Sequence, residues 1–313
     1  MNPTTPICPK CGYDQSGEIA TWETQCPLEG RCPECGLDFA WCDVFDPVLN
    51  DLYWYSEHAK SILGMIWRTP RTLWMLALPH RFWREVDVVK RVSVYRLFAW
   101  ALIIVAAMHL LVAILNGYVA WTQHNWSNRS WTLAQYLQEY RGHGVAEIIF
   151  DGFAYPYFNA VPQAYSSKWS LYITPGWSGA WYEYLIKPLV FETGFIMLWL
   201  VVLLAIPQSR RIAQIRSAHM IRAMILSVMI LVLTYELTWS NRLVYELTIN
   251  KMYWQLSRVV VPAAVIWQLV FWASAIGIGW RVRPWKLLVT LGTVAALLGG
   301  LALSIYVFLG SIS

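Results

Sequence analysis

Five stretches of about 20 mostly apolar residues recur along this 313-residue chain, at about 97–119, 188–207, 220–239, 259–280 and 287–310. A helix needs roughly 20 apolar residues to cross the hydrocarbon of a bilayer. The expected class is therefore an all-α polytopic membrane protein with five transmembrane helices. Only 14% of residues are charged, against about 25% in an ordinary soluble domain. Twenty Trp and 17 Tyr suit the membrane–water boundary, where an apolar ring with a polar tip is well solvated. The second and third stretches contain charges, Glu192 in one and Arg222 and Glu236 in the other.

Lysine and arginine set the expected orientation. Residues 52–96, 208–222 and 281–286 carry 15 bases, whereas 120–187, 240–258 and 311–313 carry seven over a longer total length. The richer side is read as cytoplasmic. That puts the N-terminus inside and Ser313 outside, in a membrane of the bacterial inner (cytoplasmic) type. The first 40 residues show no basic segment followed by an apolar run, so no signal peptide is expected.

All six cysteines fall in the first 42 residues. Cys8-Pro9-Lys10-Cys11-Gly12 and Cys32-Pro33-Glu34-Cys35-Gly36 are two copies of one knuckle, with 20 residues between the pairs. Two residues between thiolates let both sulfurs reach one ion, and the glycine that follows permits the tight turn. Cys8, Cys11, Cys32 and Cys35 are the expected metal ligands, closing a tetrahedron with no position left for water. Disulfides are disfavoured on a reducing cytoplasmic side. Cys26 and Cys42 are surplus and read as ordinary small residues.

These knuckles resemble the zinc-ribbon family over about residues 6–42, which implies a small β ribbon around structural Zn2+. Rubredoxins share the knuckles and hold iron, and Gly12-Tyr13 is similar to their turn, but the 20-residue separation is shorter than theirs. Iron is the alternative metal, with electron transfer as its function. The five-span topology over about residues 60–310 resembles the Yip1-type membrane domain, which implies partner binding and membrane shaping.

Three regions follow: a ribbon at 1–45, interfacial helices at 46–96 and the membrane domain at 97–313. Residues 1–50 hold eight acids and two bases, while 51–313 hold 22 bases and 11 acids. The ribbon is thus acidic, and nucleic acid is excluded as its partner because phosphate would be repelled. Between 51 and 96 the pattern predicts two amphipathic helices, about 51–68 and about 70–78, with Thr69 as the cap of the second and Pro70 as its first residue. Apolar Trp54, Ile62, Leu63, Ile66, Trp67, Leu73, Trp74 and Leu76 and basic Lys60, Arg68, Arg71, Arg81 and Arg84 fit helices lying on anionic lipid. The outer loop, 120–187, has 17 aromatics and is expected to fold onto the membrane, with short helices near 131–141 and 144–153.

His109 lies within the first apolar stretch, Glu192 near the start of the second and Glu236 near the end of the third. Ionisable groups in a span are functional candidates. With Asn116 they make up a candidate polar cluster, set against the plainer reading of a hydrogen-bonded histidine and carboxylates reaching water. Pairs of small residues, Ala273/Gly277, Ala275/Gly279, Gly292/Ala296 and Ala296/Gly300, allow close helix approach, within the bundle or in a homo-oligomer. No phosphate-binding loop, HExxH or nucleophile–base pair is present. The expected function is a non-enzymatic membrane protein with a ribbon that docks a protein partner. A small-solute transporter or membrane-embedded enzyme is the alternative.

Overall fold

The computed structural model describes residues 6–23, 25–127, 159–160, 173–174, 187–205, 214–248, 253–282 and 285–310. The chain divides into two compact units. The first comprises Met1–Leu102, Thr193–Met229 and Val265–Ser313, and the second Ile103–Glu192 and Ile230–Ala264. The short helices expected near 131–141 and 144–153 lie outside the described residues.

In the first unit the N-terminal residues fold as two matched knuckles. Strands β1 (Glu29–Arg31) and β2 (Asp38–Ala40) pair antiparallel, with Arg31 opposite Asp38. Ile7 and Asp14 form the equivalent bridge around the first knuckle. Each bridge joins the residue before a knuckle to the one three beyond its second cysteine. Helices α1 (Ser16–Ile19) and α2 (Trp41–Phe45) complete the module. Its small core is aromatic, with Trp41 in contact with Trp22 at 4.7 Å and with Phe39 at 5.1 Å between ring centroids. A Cβ on Gly30 would meet the Trp41 indole at 2.7 Å, so only glycine lets that ring lie across β1.

The next segment departs from the expected pair of helices. Residues 47–58 make only short 3-10 turns, and one helix, α3 (Ile62–Ala77), follows, with Pro70 inside it. Ser61 is the cap: its side chain accepts from the Gly64 N–H at 3.1 Å. Proline tends to break a helix because it lacks a donor and crowds the preceding turn. Here Thr69 Oγ1 donates to the Met65 carbonyl at 2.9 Å, and burial of Met65 before the proline and of Thr72 and Leu76 after it holds the helix continuous. The proline that opens a helix is Pro79, at the start of α4 (Pro79–Glu85).

The core of the first unit is built on aromatic rings. Phe82 and Trp83 of α4 are fully buried. Trp83 lies 5.4 Å from Phe271 and 6.4 Å from Trp280, and Trp199 stacks on Trp272 at 5.7 Å with planes 7° apart. Five long helices contribute: the start of α5 (Val94–Ser127), most of α6 (Lys187–Ala205), parts of α7 (Ser217–Thr248) and α8 (Tyr253–Ser274), and α9 (Trp285–Gly310). A π-turn, Ala275–Gly279, ends α8. The small residues of the spans serve packing within this unit. A Cβ on Gly292 would meet Trp199 at 2.4 Å, one on Gly279 would meet Trp83 at 2.6 Å, and one on Gly194 would meet Gly299 and Gly300 backbone at 2.9 Å.

Four helical segments are long and apolar enough to cross a membrane: Val94–Leu115, Ser217–Leu237, Pro262–Gly279 and Trp285–Tyr306. Among the described residues Val190–Trp199 is a shorter apolar helix, within α6, where the remaining expected span lies. In the second unit, β3 (Asn159–Ala160) pairs antiparallel with β4 (Ile173–Thr174).

Candidate metal centre

Each knuckle is closed by the same hydrogen bonds. The Cys8 N–H donates to the Tyr13 carbonyl at 2.8 Å and the Gly12 N–H to the Cys8 carbonyl at 2.9 Å. In the second copy Cys32 N–H reaches Leu37 and Gly36 N–H reaches Cys32, both at 2.9 Å. Gly12 and Gly36 have φ of +81° and +64°, the left-handed conformation that a side chain disfavours. The sequence-predicted turn glycines are thus required by backbone geometry.

The knuckles bring four sulfurs together. The Sγ atoms of Cys8, Cys11, Cys32 and Cys35 all lie within 4.8 Å of one another. Cys8 is 3.7 Å from Cys35 and Cys11 is 3.6 Å from Cys32. A tetrahedral ion with metal–sulfur bonds of about 2.3 Å needs sulfurs ~3.8 Å apart, so the cluster has the dimensions of a four-cysteine metal site. Cys26 and Cys42 are exposed and stand outside it.

Electrostatics also points to a cation. A hydrogen bond with Cys35 and others from nearby amides push the Cys8 thiol down to about 5. Burial, then the neighbouring Cys8 charge, push Cys11 up to about 12, and the bond with Cys8 and burial also push Cys35 up. Charge on Cys8 thus opposes charge on Cys11 and Cys35. A divalent cation removes that conflict. Gln15, fully buried, donates from Nε2 to Cys32 Sγ at 3.4 Å. Nothing in the residue pattern marks Gln15 as a sulfur ligand's partner.

The module is fastened to the start of α7. His219 Nε2 lies 2.8 Å from the Pro9 carbonyl, and the Arg216 N–H donates to the Lys10 carbonyl at 2.8 Å. The Arg216 side chain passes 3.4 Å from where a Gly12 Cβ would stand. The first knuckle is therefore gripped by a helix more than 200 positions away, a contact no local pattern announces.

One turn further along α7, Arg222 is fully buried and forms a bidentate pair with the equally buried Glu57, at 2.9 and 3.1 Å. It also donates to the Arg91 carbonyl. Burial disfavours the Glu57 carboxylate, and the Arg222 guanidinium with the Ser93 N–H outweighs it, holding the carboxyl below its usual range. Beside it, His58 accepts from the Leu52 N–H at 2.8 Å on Nδ1 and lies 3.0 Å from the Arg91 carbonyl on Nε2. This fixes the neutral tautomer with the proton on Nε2, and burial pushes its pKa down.

The candidate polar cluster is assembled in part. In the second unit His109 Nδ1 lies 2.9 Å from Glu236 Oε1. Glu192, in the same unit, is buried. The Asn116 side chain lies outside the described residues. Compared with known proteins, the chain matches no family model, no curated protein and no solved structure.

Proposed function

We propose that the chain is a non-enzymatic, five-span membrane protein with a cytoplasmic N-terminus, and that its four-cysteine module holds structural zinc and docks a protein partner. The observation that carries this is the closed four-sulfur cluster, fixed to α7 through the Pro9 and Lys10 carbonyls. Cys8, Cys11, Cys32 and Cys35 would hold the ion, which supplies folding energy and charge balance and leaves no open position for a reaction. The first knuckle faces α7, so the docking surface is the far side of the module. In the module Glu23, Glu29, Glu34, Asp38 and Asp46 are exposed, together with the apolar Leu28, Phe45 and Leu49. A basic, partly apolar segment of the partner suits that surface.

Two features support the topology. The three base-rich segments meet at one end of the helices of the first unit: Arg222 pairs with Glu57, Arg281 with Asp87 at 2.9 Å, and the Val88 N–H donates to the Gly279 carbonyl. If α5 and α7 both start at that end, the chain between them crosses an even number of times, and α6 is the candidate for the second crossing. The basic excess of this end supports its cytoplasmic placement.

A photo-crosslinking residue at Leu28 or Leu49 tests the docking. The expected result is one discrete adduct that disappears with Glu29→Lys/Asp38→Lys and with Cys32→Ser. An adduct pattern indifferent to all three substitutions defeats the reading. Metal analysis of the purified chain is expected to find one zinc, and a red, iron-loaded protein would favour electron transfer instead.

The His109–Glu236 contact favours a second reading, passage of a proton or small solute. Glu236→Gln is expected to abolish flux into proteoliposomes if that reading holds, and to leave partner crosslinking unchanged.

A further inference from the structure

Helix α3 carries apolar residues on its exposed face as well as its buried one, unlike a helix on a water-soluble surface. Its buried positions are Met65, Thr72 and Leu76. Thr72 shares a hydrogen bond with Ser56 at 3.0 Å, and both are fully buried. The exposed positions are Ile62, Leu63, Ile66, Trp67, Pro70, Arg71, Trp74 and Ala77, and the apolar ones fall largely on one face of the helix. Trp67 is 87% exposed, Leu63 76% and Trp74 68%. An apolar stripe running the length of a helix marks a membrane or partner surface.

The charges beside the stripe select the occupant. The acids of this segment are engaged: Asp51 pairs with Arg91 at 2.7 Å, Glu57 with Arg222, Asp87 with Arg281, and Glu85 accepts from Trp54 at 2.8 Å. The exposed bases Lys60, Arg71, Arg81 and Arg84 have no ion-pair partner among the described residues. Apolar surface edged by cations that pair with no described acid, one of them, Arg71, lying over the Tyr53 ring at 5.3 Å, is complementary to an anionic bilayer surface.

The attachment of α3 gives its depth. Trp100 Nε1 donates to Thr69 Oγ1 at 2.9 Å, and Trp267 Nε1 donates to the Leu76 carbonyl at 3.2 Å. Trp100 lies six residues into the span that begins at Val94, and Trp267 lies 12 residues from the Gly279 end of its span, or about 9 Å and about 18 Å at 1.5 Å per residue, so α3 runs deeper from Thr69 towards Leu76. Interfacial helices sit roughly 5–10 Å into the boundary between headgroups and acyl chains.

We propose that α3 enters that boundary layer of the bilayer its neighbours cross and dips beneath it towards Leu76, with Trp67 and Trp74 in lipid, and that Lys60, Arg71, Arg81 and Arg84 bind anionic phospholipid headgroups. This does not depend on the metal or the docking partner.

The test uses the full chain carrying 5-fluorotryptophan, in nanodiscs of phosphatidylcholine with or without phosphatidylglycerol. Trp67→Phe and Trp74→Phe identify their two fluorine signals; both rings are exposed, so the other signals are expected to stay in place. A lipid-borne nitroxide is expected to broaden both signals, and a soluble gadolinium chelate to leave them sharp. Spin-labelled phosphatidylglycerol is expected to act several-fold more strongly than spin-labelled phosphatidylcholine. Lys60→Gln, Arg71→Gln, Arg81→Gln and Arg84→Gln together are expected to erase that preference. Broadening by the soluble chelate overturns the proposal, as does shielding from both probes, which would mean that protein covers the face. Equal action of the two spin-labelled lipids on the unmodified chain overturns the headgroup assignment.

Discussion

The cysteine module and the segment after it both hold on to α7, and they are stabilised in different ways. Residues 6–45 have a core of a few aromatic rings and depend on four sulfurs to close the fold. So small a segment buries too little surface to fold unaided. Residues 51–93 have no such closure. They bury Trp54, Tyr55, Phe82 and Trp83 and neutralise their inward charges in pairs, Glu57 with Arg222 above all. With an ion held by its four sulfurs the first region would be firmly closed, and it has little else to hold it. The second fails only if its packing or its buried pair is broken.

The largest expected effect breaks the first region alone. Cys8→Ser or Cys32→Ser removes a ligand from a site of the kind worth about 10–16 kcal/mol of apparent binding energy at neutral pH. Proteases are expected to cut residues 1–45 of either variant, while the helices remain inserted and α3 keeps its protection. If the same cuts appeared throughout 51–93, the two regions would be one cooperative piece.

Next comes the buried pair. Arg222→Met leaves Glu57 uncompensated and is expected to destabilise the first unit by roughly 3–5 kcal/mol, with Arg222→Met/Glu57→Leu recovering much of the loss. Thermal unfolding in detergent reads both variants. A double variant no better than the single one would show that the pair acts through its other partners, the Ser93 N–H and the Arg91 carbonyl.

A smaller effect is expected of Gly30→Ala, whose Cβ meets Trp41. Overpacking of this sort costs about 1–3 kcal/mol. The module should loosen, read by Trp22 and Trp41 fluorescence, while metal content stays at one ion. Loss of the ion here would mean that the aromatic core, and not the sulfurs, sets the site.

The mildest change comes with pH and belongs to the second region. Burial holds His58 neutral, with its pKa below the ordinary value. The unfolded chain therefore takes up more protons as pH falls, so stability is full above the ordinary histidine pKa of ~6.5 and declines below it. His58→Gln is expected to flatten that decline between roughly pH 7 and pH 5. Glu57 has the same sign at lower pH. Its depressed carboxyl gives stability that is present above the ordinary carboxylate range of ~4.3 and is lost as the pH falls through the folded value.

Much of the metal site was legible in the residue order. Two Cys-x-x-Cys-Gly repeats specify their own turns, because the ligands are three positions apart and the glycines adopt the positive φ expected of them. The apolar runs were legible too, since a bilayer imposes length and composition directly. Pro70 misled, because proline is a reliable local signal only where tertiary contacts do not hold the helix through it. The small residues of the spans announced close approach but not the partner: Gly292 admits Trp199 and Gly279 admits Trp83.

Local chemistry was enough for the knuckles, their metal-sized sulfur cluster and the helices long enough to cross lipid. These depend on spacings of a few residues or on the composition of a single run, and neither needs knowledge of a distant contact. The grip of Arg216 and His219 on the first knuckle, the Glu57–Arg222 pair, the meeting of His109 with Glu236 and the outward turn of the α3 stripe were decided by the folded chain. Each joins residues tens to hundreds of positions apart, or depends on which face a neighbour covers, and only packing in three dimensions chooses among such partners.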